Sequence, residues 1–144
     1  MSRYDIDRWL DDCANMSREE IEDAAYEAVK VLYYAYRKTV GDDLASDLLY
    51  TTAAVTILNS GSNELTKKVY NLLSSAFGVR LSQNEFLDSL IKHNTDSKRQ
   101  AMVKAMKSFN QKEYEALVTF ACAIYTCDGQ ITRGEREFMY GFFN

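Results

Sequence analysis

Ala121-Cys122-Ala123-Ile124-Tyr125-Thr126-Cys127-Asp128-Gly129-Gln130-Ile131-Thr132-Arg133-Gly134-Glu135-Arg136-Glu137-Phe138 is the stretch from which the rest of the chain can be read. Its first part is a run of small and apolar residues suited to a buried helix. Asp128-Gly129 is turn chemistry, and Thr132 with Glu135 three residues on forms a capping box that opens a new helix. Helix, tight corner and capped helix is the grammar of an all-α fold, and two carboxylates, Asp128 and Glu135, flank the corner.

The same grammar recurs outward from this point. Ser17-Arg18-Glu19-Glu20 and Ser82-Gln83-Asn84-Glu85 are capping boxes, and Asn110-Gln111-Lys112-Glu113 has the same form. Gly41 and Gly78 close apolar-periodic runs, with Asp42 or Asp43 placed to cap the next helix. The chain has no proline and only six glycines in 144 residues, so nothing interrupts long helices. Ile6, Trp9, Leu10 and Cys13 mark one face of a first amphipathic helix, and Ile21, Ala25, Ala28, Val29, Leu32, Ala35 and Tyr36 mark a second. Tyr26, Tyr33 and Tyr34 are expected to add buried rings to it. Leu44 to Ile57, Leu65 to Phe77, Phe86 to Ile91, Met102 to Phe109, Leu117 to Ile124 and Phe138 to Phe143 supply the rest. The expectation is a single all-α domain over residues 1–144: a compact bundle of about seven or eight antiparallel helices, with residues 1–40 as a looser N-terminal part on a core from 44 to 143.

Charge narrows the partners. With a net charge of -4 the chain is a poor match for nucleic acid, whose phosphates call for a basic surface. The charge is unevenly spread, acidic from Asp5 to Asp23 and basic from Lys92 to Lys112, where Lys98, Arg99, Lys104 and Lys107 could form a docking surface for an acidic protein or a second copy. No apolar run reaches the ~20 residues of a membrane span, and the polar start does not read as a signal peptide, so the expected location is the cytoplasm. The three cysteines, Cys13, Cys122 and Cys127, show no C-x-x-C spacing and read as reduced thiols, Cys122 as a small core residue. The single histidine, His93, falls at a helix end, where capping or solvation explains it. With no nucleophile elbow, phosphate-cradling loop or paired base, the reading is non-enzymatic; a hydrolase built on Asp128 and Glu135 would lack an identifiable nucleophile.

Asp128 to Glu135 also matches the second half of an EF-hand loop. The first half fails, because its opening oxygen ligands would fall on Ile124 and Thr126. A weak internal repeat sets Thr51 to Gly61 over Thr119 to Gly129, the two glycines 68 positions apart, as two similar helix-turn-helix units facing each other.

Taken together, the alanine-bearing helices and the motif Asp128-Gly129-Gln130-Ile131-Thr132-Arg133-Gly134-Glu135-Arg136 resemble the TerB family of tellurite-resistance and general stress proteins, over roughly Leu44 to Phe143. That resemblance implies a helical domain with an acidic motif at each end, a binding or scaffold role in a stress-response setting, and no required cofactor, with Asp128 and Glu135 as the residues that would hold a divalent cation of unknown identity. The first motif departs from the pattern: Ser60 and Lys67 stand where the family has acids, with Asn59 and Glu64 the nearest oxygen donors. Lys67 is therefore expected to approach Asp128 or Glu135 and supply the positive charge in place of the ion. Two alternatives remain at this point: a protein-interaction adaptor whose acid corner is purely structural, since a capping box and turn chemistry already account for both carboxylates, and the hydrolase.

Overall fold

The computed structural model describes residues 3–58, 63–78, 80–126 and 131–143. These form eight helices and no strand: α1 (Arg3–Ala14), α2 (Arg18–Val40), α3 (Asp42–Leu58), α4 (Asn63–Phe77), α5 (Gln83–His93), α6 (Asp96–Met106), α7 (Gln111–Tyr125) and α8 (Arg133–Phe143). The all-α bundle expected from the sequence is the fold. The three N-terminal capping boxes are made in full: Ser17 with Glu20, Ser82 with Glu85 and Asn110 with Glu113 each exchange both hydrogen bonds. Each satisfies two backbone donors that a helix start would otherwise leave open.

Gly41 ends α2 at φ 85, a left-handed conformation open to glycine at little cost. Its N–H donates to the Arg37 carbonyl, while its own carbonyl accepts from Ala45 N–H, so one residue closes α2 and opens α3. Asp42 and Asp43 are therefore inside the first turn of α3 rather than capping it, where their charge favours the positive helix end.

α2 is the axis of the molecule. It packs most extensively on α7 and next on α3. Ala25, Ala28 and Ala35 on α2, and Ala116, Ala121 and Ala123 on α7, are all buried, and such small residues let two helix backbones approach closely. Leu32, Val29 and Tyr36 fill the same stripe with no exposed surface. Truncating one of these, as in Leu32→Ala, removes about 2–5 kcal/mol of stability. α7 and α3 are enclosed nearly all round. From Ala116 to Tyr125 every residue of α7 except Thr119 is buried, and from Thr51 to Ile57 every residue of α3 is. A helix apolar on all sides belongs in a core, and the three threonines in that run make it so by folding their hydroxyls back onto carbonyls one turn earlier.

Around this centre α5 and α6 pack on α3, α4 spans α2, α5 and α7, and α1 lies on α7 with α8 against it. The N-terminal helices pack directly on the core. Ile6 and Leu10 have no exposed surface, the Trp9 indole N–H donates to Thr119 Oγ1 at 3.3 Å, and α2 is central, because their apolar stripes meet the most enclosed helices of the core. Among the tyrosines, Tyr26 and Tyr33 are half-buried and Tyr34 is 59% exposed, set edge-on against Tyr33. Tyr34 lies off the Ala25–Val29–Leu32–Tyr36 stripe, which is why it faces out. The side chains of Phe138, Phe142 and Phe143 lie outside the described residues; Met139 is buried. Among the described residues no helix is long and apolar enough to cross a membrane.

Candidate functional site

The two segments of the sequence repeat touch near the ends of α3 and α7. α3 and α7 end, and α4 and α8 begin, at nearly corresponding positions, and the Tyr125 hydroxyl at the end of α7 donates to the Thr56 carbonyl of α3 at 3.2 Å. The residues of both corners, 59–62 and 127–130, lie outside those described, and Asp128 is one of them. Glu135 is described. Its Oε1 accepts from Thr132 N–H at 2.8 Å, and Glu135 N–H donates to Thr132 Oγ1 at 3.1 Å, a complete capping box on α8. The side chain is 7% exposed and close enough for its charge to help hold the Tyr125 phenol protonated, although burial is the larger cause of that upward shift.

Lys67 does not meet Glu135. It is exposed and makes no ion pair among the described residues, while the neighbouring Lys68 turns to Glu22 at 2.9 Å and joins α4 to α2. One residue along a helix is a rotation of about 100°, so Lys68 lies at the α2 seam and Lys67 beyond it. Among the described residues no group of three or more His, Cys, Asp or Glu side chains converges as a cation would need. Glu135, with one oxygen engaged by its own helix start, is not a donor set by itself.

The basic stretch divides in two. Lys98 Nζ reaches Asp47 Oδ2 at 2.6 Å, and the Arg99 guanidinium reaches the Asn94 carbonyl at 3.0 Å, the Asn94 side chain at 2.6 Å and the Asp96 carboxylate. Two of the four cations thus hold the α5–α6 corner and the α3–α6 seam. Lys104 and Lys107 are exposed, make no ion pair among the described residues, and flank Val103, which is 45% exposed. With Asp96, Arg99 and Gln100 they line an open groove of about 660 Å³ along α6. Met102, Ala105 and Met106, on the other side of the same helix, are buried. An apolar centre with a cationic rim is suited to a partner that brings apolar and acidic groups together.

A polar cluster the sequence did not reveal joins three helices. His93, at the end of α5, has Nδ1 2.7 Å from the Ser89 carbonyl, which can only accept, so Nδ1 carries a proton. Its Nε2 is 3.2 Å from Asp47 Oδ1, and the Thr51 hydroxyl lies 3.2 Å from the His93 carbonyl. Asp47 therefore faces Lys98 and His93 together. The hydrogen bond from Lys98 is the main reason its carboxyl is held below the usual range, with His93 adding in the same direction. His93 is half-buried and bound, not solvated. A second such link is Glu113, 8% exposed, which caps α7 and also receives Lys38 of α2 at 2.9 Å. Neither link offers a nucleophile, and both read as seams between helices.

A comparison with protein-family models, with curated proteins and with solved structures finds no match for this chain.

Proposed function

We propose that the chain is a TerB-like, non-enzymatic binding module that holds an acidic partner protein along α6, with its acid corner serving the fold. The observation that carries this reading is the division of the basic stretch. Lys98 and Arg99 are bound internally, whereas Lys104 and Lys107 stand exposed beside exposed Val103 and make no ion pair among the described residues. A local basic face on a net-acidic protein steers association with an acidic segment. The occupant fitted by this groove is an acidic stretch of a partner with an apolar side chain seated on Val103.

An unbiased test is selection of displayed peptides on the wild-type protein with Lys104→Glu/Lys107→Glu as the counter-target. The expected peptides are rich in Asp and Glu around an apolar anchor, bind less tightly as salt rises, and lose binding to the double variant. Selected peptides without acidic enrichment, or ones bound equally by the variant, would overturn the reading. Salt-sensitive self-association lost in the same variant would make a second copy the occupant. The cation-linked reading that the family resemblance implies is separated by melting chelator-stripped protein with and without calcium, magnesium, manganese and zinc. The adaptor reading expects the same midpoint throughout. An upward shift lost in Asp128→Asn would replace it.

A further inference from the structure

α1 and α7 each carry one buried cysteine, Cys13 at 2% and Cys122 at 0% exposure, and both are free thiols. They are 109 positions apart in the chain, with no spacing signal to connect them. The packing of α1 on α7 brings them together. The Cys122 thiol points at the Leu10 carbonyl at 3.9 Å, one turn before Cys13 on the same helix, so the two buried cysteines face the same α1–α7 seam. Cys13 lies in the last turn of α1, where Met16 N–H donates to its carbonyl as the chain leaves the helix.

We propose that Cys13 and Cys122 are a redox pair that closes to an intramolecular disulfide and fastens α1 to α7. With hydrogen peroxide as the oxidant the step balances: one thiolate attacks peroxide, giving a sulfenic acid and, once a proton is taken up, water. The second sulfur then displaces that hydroxyl as water, forming the S–S bond. Two thiols and one peroxide yield one disulfide and two waters. Both sulfurs are covered, so the oxidant enters only when α1 lifts.

α1 is held by a second device whose removal speeds that opening. Arg136 of α8 donates to Asp7 at 3.1 Å and to Asp11 at 2.7 Å, and the Tyr140 hydroxyl also reaches Asp7. Arg136→Ala is therefore expected to raise the oxidation rate several-fold. The pair is independent of the α6 face, and its test does not depend on any partner.

The experiment is peroxide treatment of the full chain followed by thiol counting and peptide mapping without reductant. The expected result is a fall from three free thiols to one, a loss of two mass units, and a Cys13–Cys122 cross-linked peptide that dithiothreitol cleaves. The chain with Cys127→Ser should give the same bridge, and Cys13→Ser should not. The bridged form should unfold at a urea concentration higher by about 1–2 M, because the closed loop spans most of the chain. Three thiols remaining, a bridge that uses Cys127, a cross-link between molecules, or a lowered urea midpoint would each overturn the proposal. The wild-type map decides the matter even if Cys13→Ser fails to fold.

Discussion

Tyr36 and Thr52 form a pair at the α2–α3 seam in which donor and acceptor can be assigned. The Thr52 hydroxyl donates to the Leu48 carbonyl at 2.8 Å, so its oxygen is left to accept from the Tyr36 hydroxyl 2.6 Å away. Neither residue has exposed surface. Burial pushes the Tyr36 phenol well above its ordinary range, so the group stays protonated and keeps its need for an acceptor. Thr52→Val leaves that donor buried with no partner, at a loss of about 1–3 kcal/mol. Tyr36→Phe removes the donor instead. The Thr52 hydroxyl still has Leu48, so the loss is only the net value of one hydrogen bond, ~1 kcal/mol. The double variant replaces both groups by apolar ones of similar shape and should lie near Tyr36→Phe alone, giving a measurable coupling between the two sites. Thr56→Val is the control. That hydroxyl donates to the Thr52 carbonyl at 2.7 Å, and the same helix-propensity change applies without an orphaned tyrosine. At urea slopes of about 1–3 kcal/mol/M, Thr52→Val should lower the midpoint by ~1 M and Tyr36→Phe by about half as much, read by circular dichroism. If Thr52→Val is no worse than Tyr36→Phe, or no worse than Thr56→Val, the assignment of donor and acceptor is refuted.

Three other outcomes follow from the seams between helices. Glu113→Ala removes the α7 cap and the contact with Lys38 together and should lower stability by about 1–2 kcal/mol in urea unfolding, whereas Lys38→Met, at the exposed end of the pair, should change it by less than ~1 kcal/mol. Because the folded carboxyl of Asp47 is held low by Lys98 and His93, its contribution is present above the ordinary carboxylate pKa of ~3.9 and is lost as pH falls through the lower folded value. Asp47→Asn should therefore weaken the protein at pH 7 and flatten the acid limb of its stability profile below about pH 4; an unchanged acid limb would remove Asp47 from the account. Hydrogen exchange should report Arg136→Ala as faster exchange confined to α1 and α8, with α2 and α7 amides unaltered.

The sequence was legible wherever the determining contacts are local. Capping boxes are written within four residues, and Ser17–Glu20, Ser82–Glu85, Asn110–Glu113 and Thr132–Glu135 all form as the spacing predicts. The stripe of α2 likewise names Tyr36 as a core ring, and its helical phase would have placed Tyr34 outside had it been applied to every tyrosine. Periodicity identifies which face is buried but not which helix covers it. For that reason nothing local announced Lys38 with Glu113, Asp47 with His93 and Lys98, or Cys13 with Cys122. Lys67 does not reach Glu135 for the same reason: an unmatched charge in a motif does not say where the neighbouring helix runs; its other expected partner, Asp128, lies outside the described residues. Of the two acid-corner residues, Glu135 has the cap its spacing implied, and Asp128 lies outside the described residues.

The pairing of α2 with α7 also sets a timetable for synthesis. α7 begins about seventy residues after α2 ends, so at ~5–20 residues per second the ribosome delivers it roughly 4–14 s later. During that interval α3 can already fold back on α2, but the Ala25–Ala28–Leu32 face of α2 has lost its principal cover to the future. The nascent chain therefore carries an apolar helix face without its principal cover until α7 emerges.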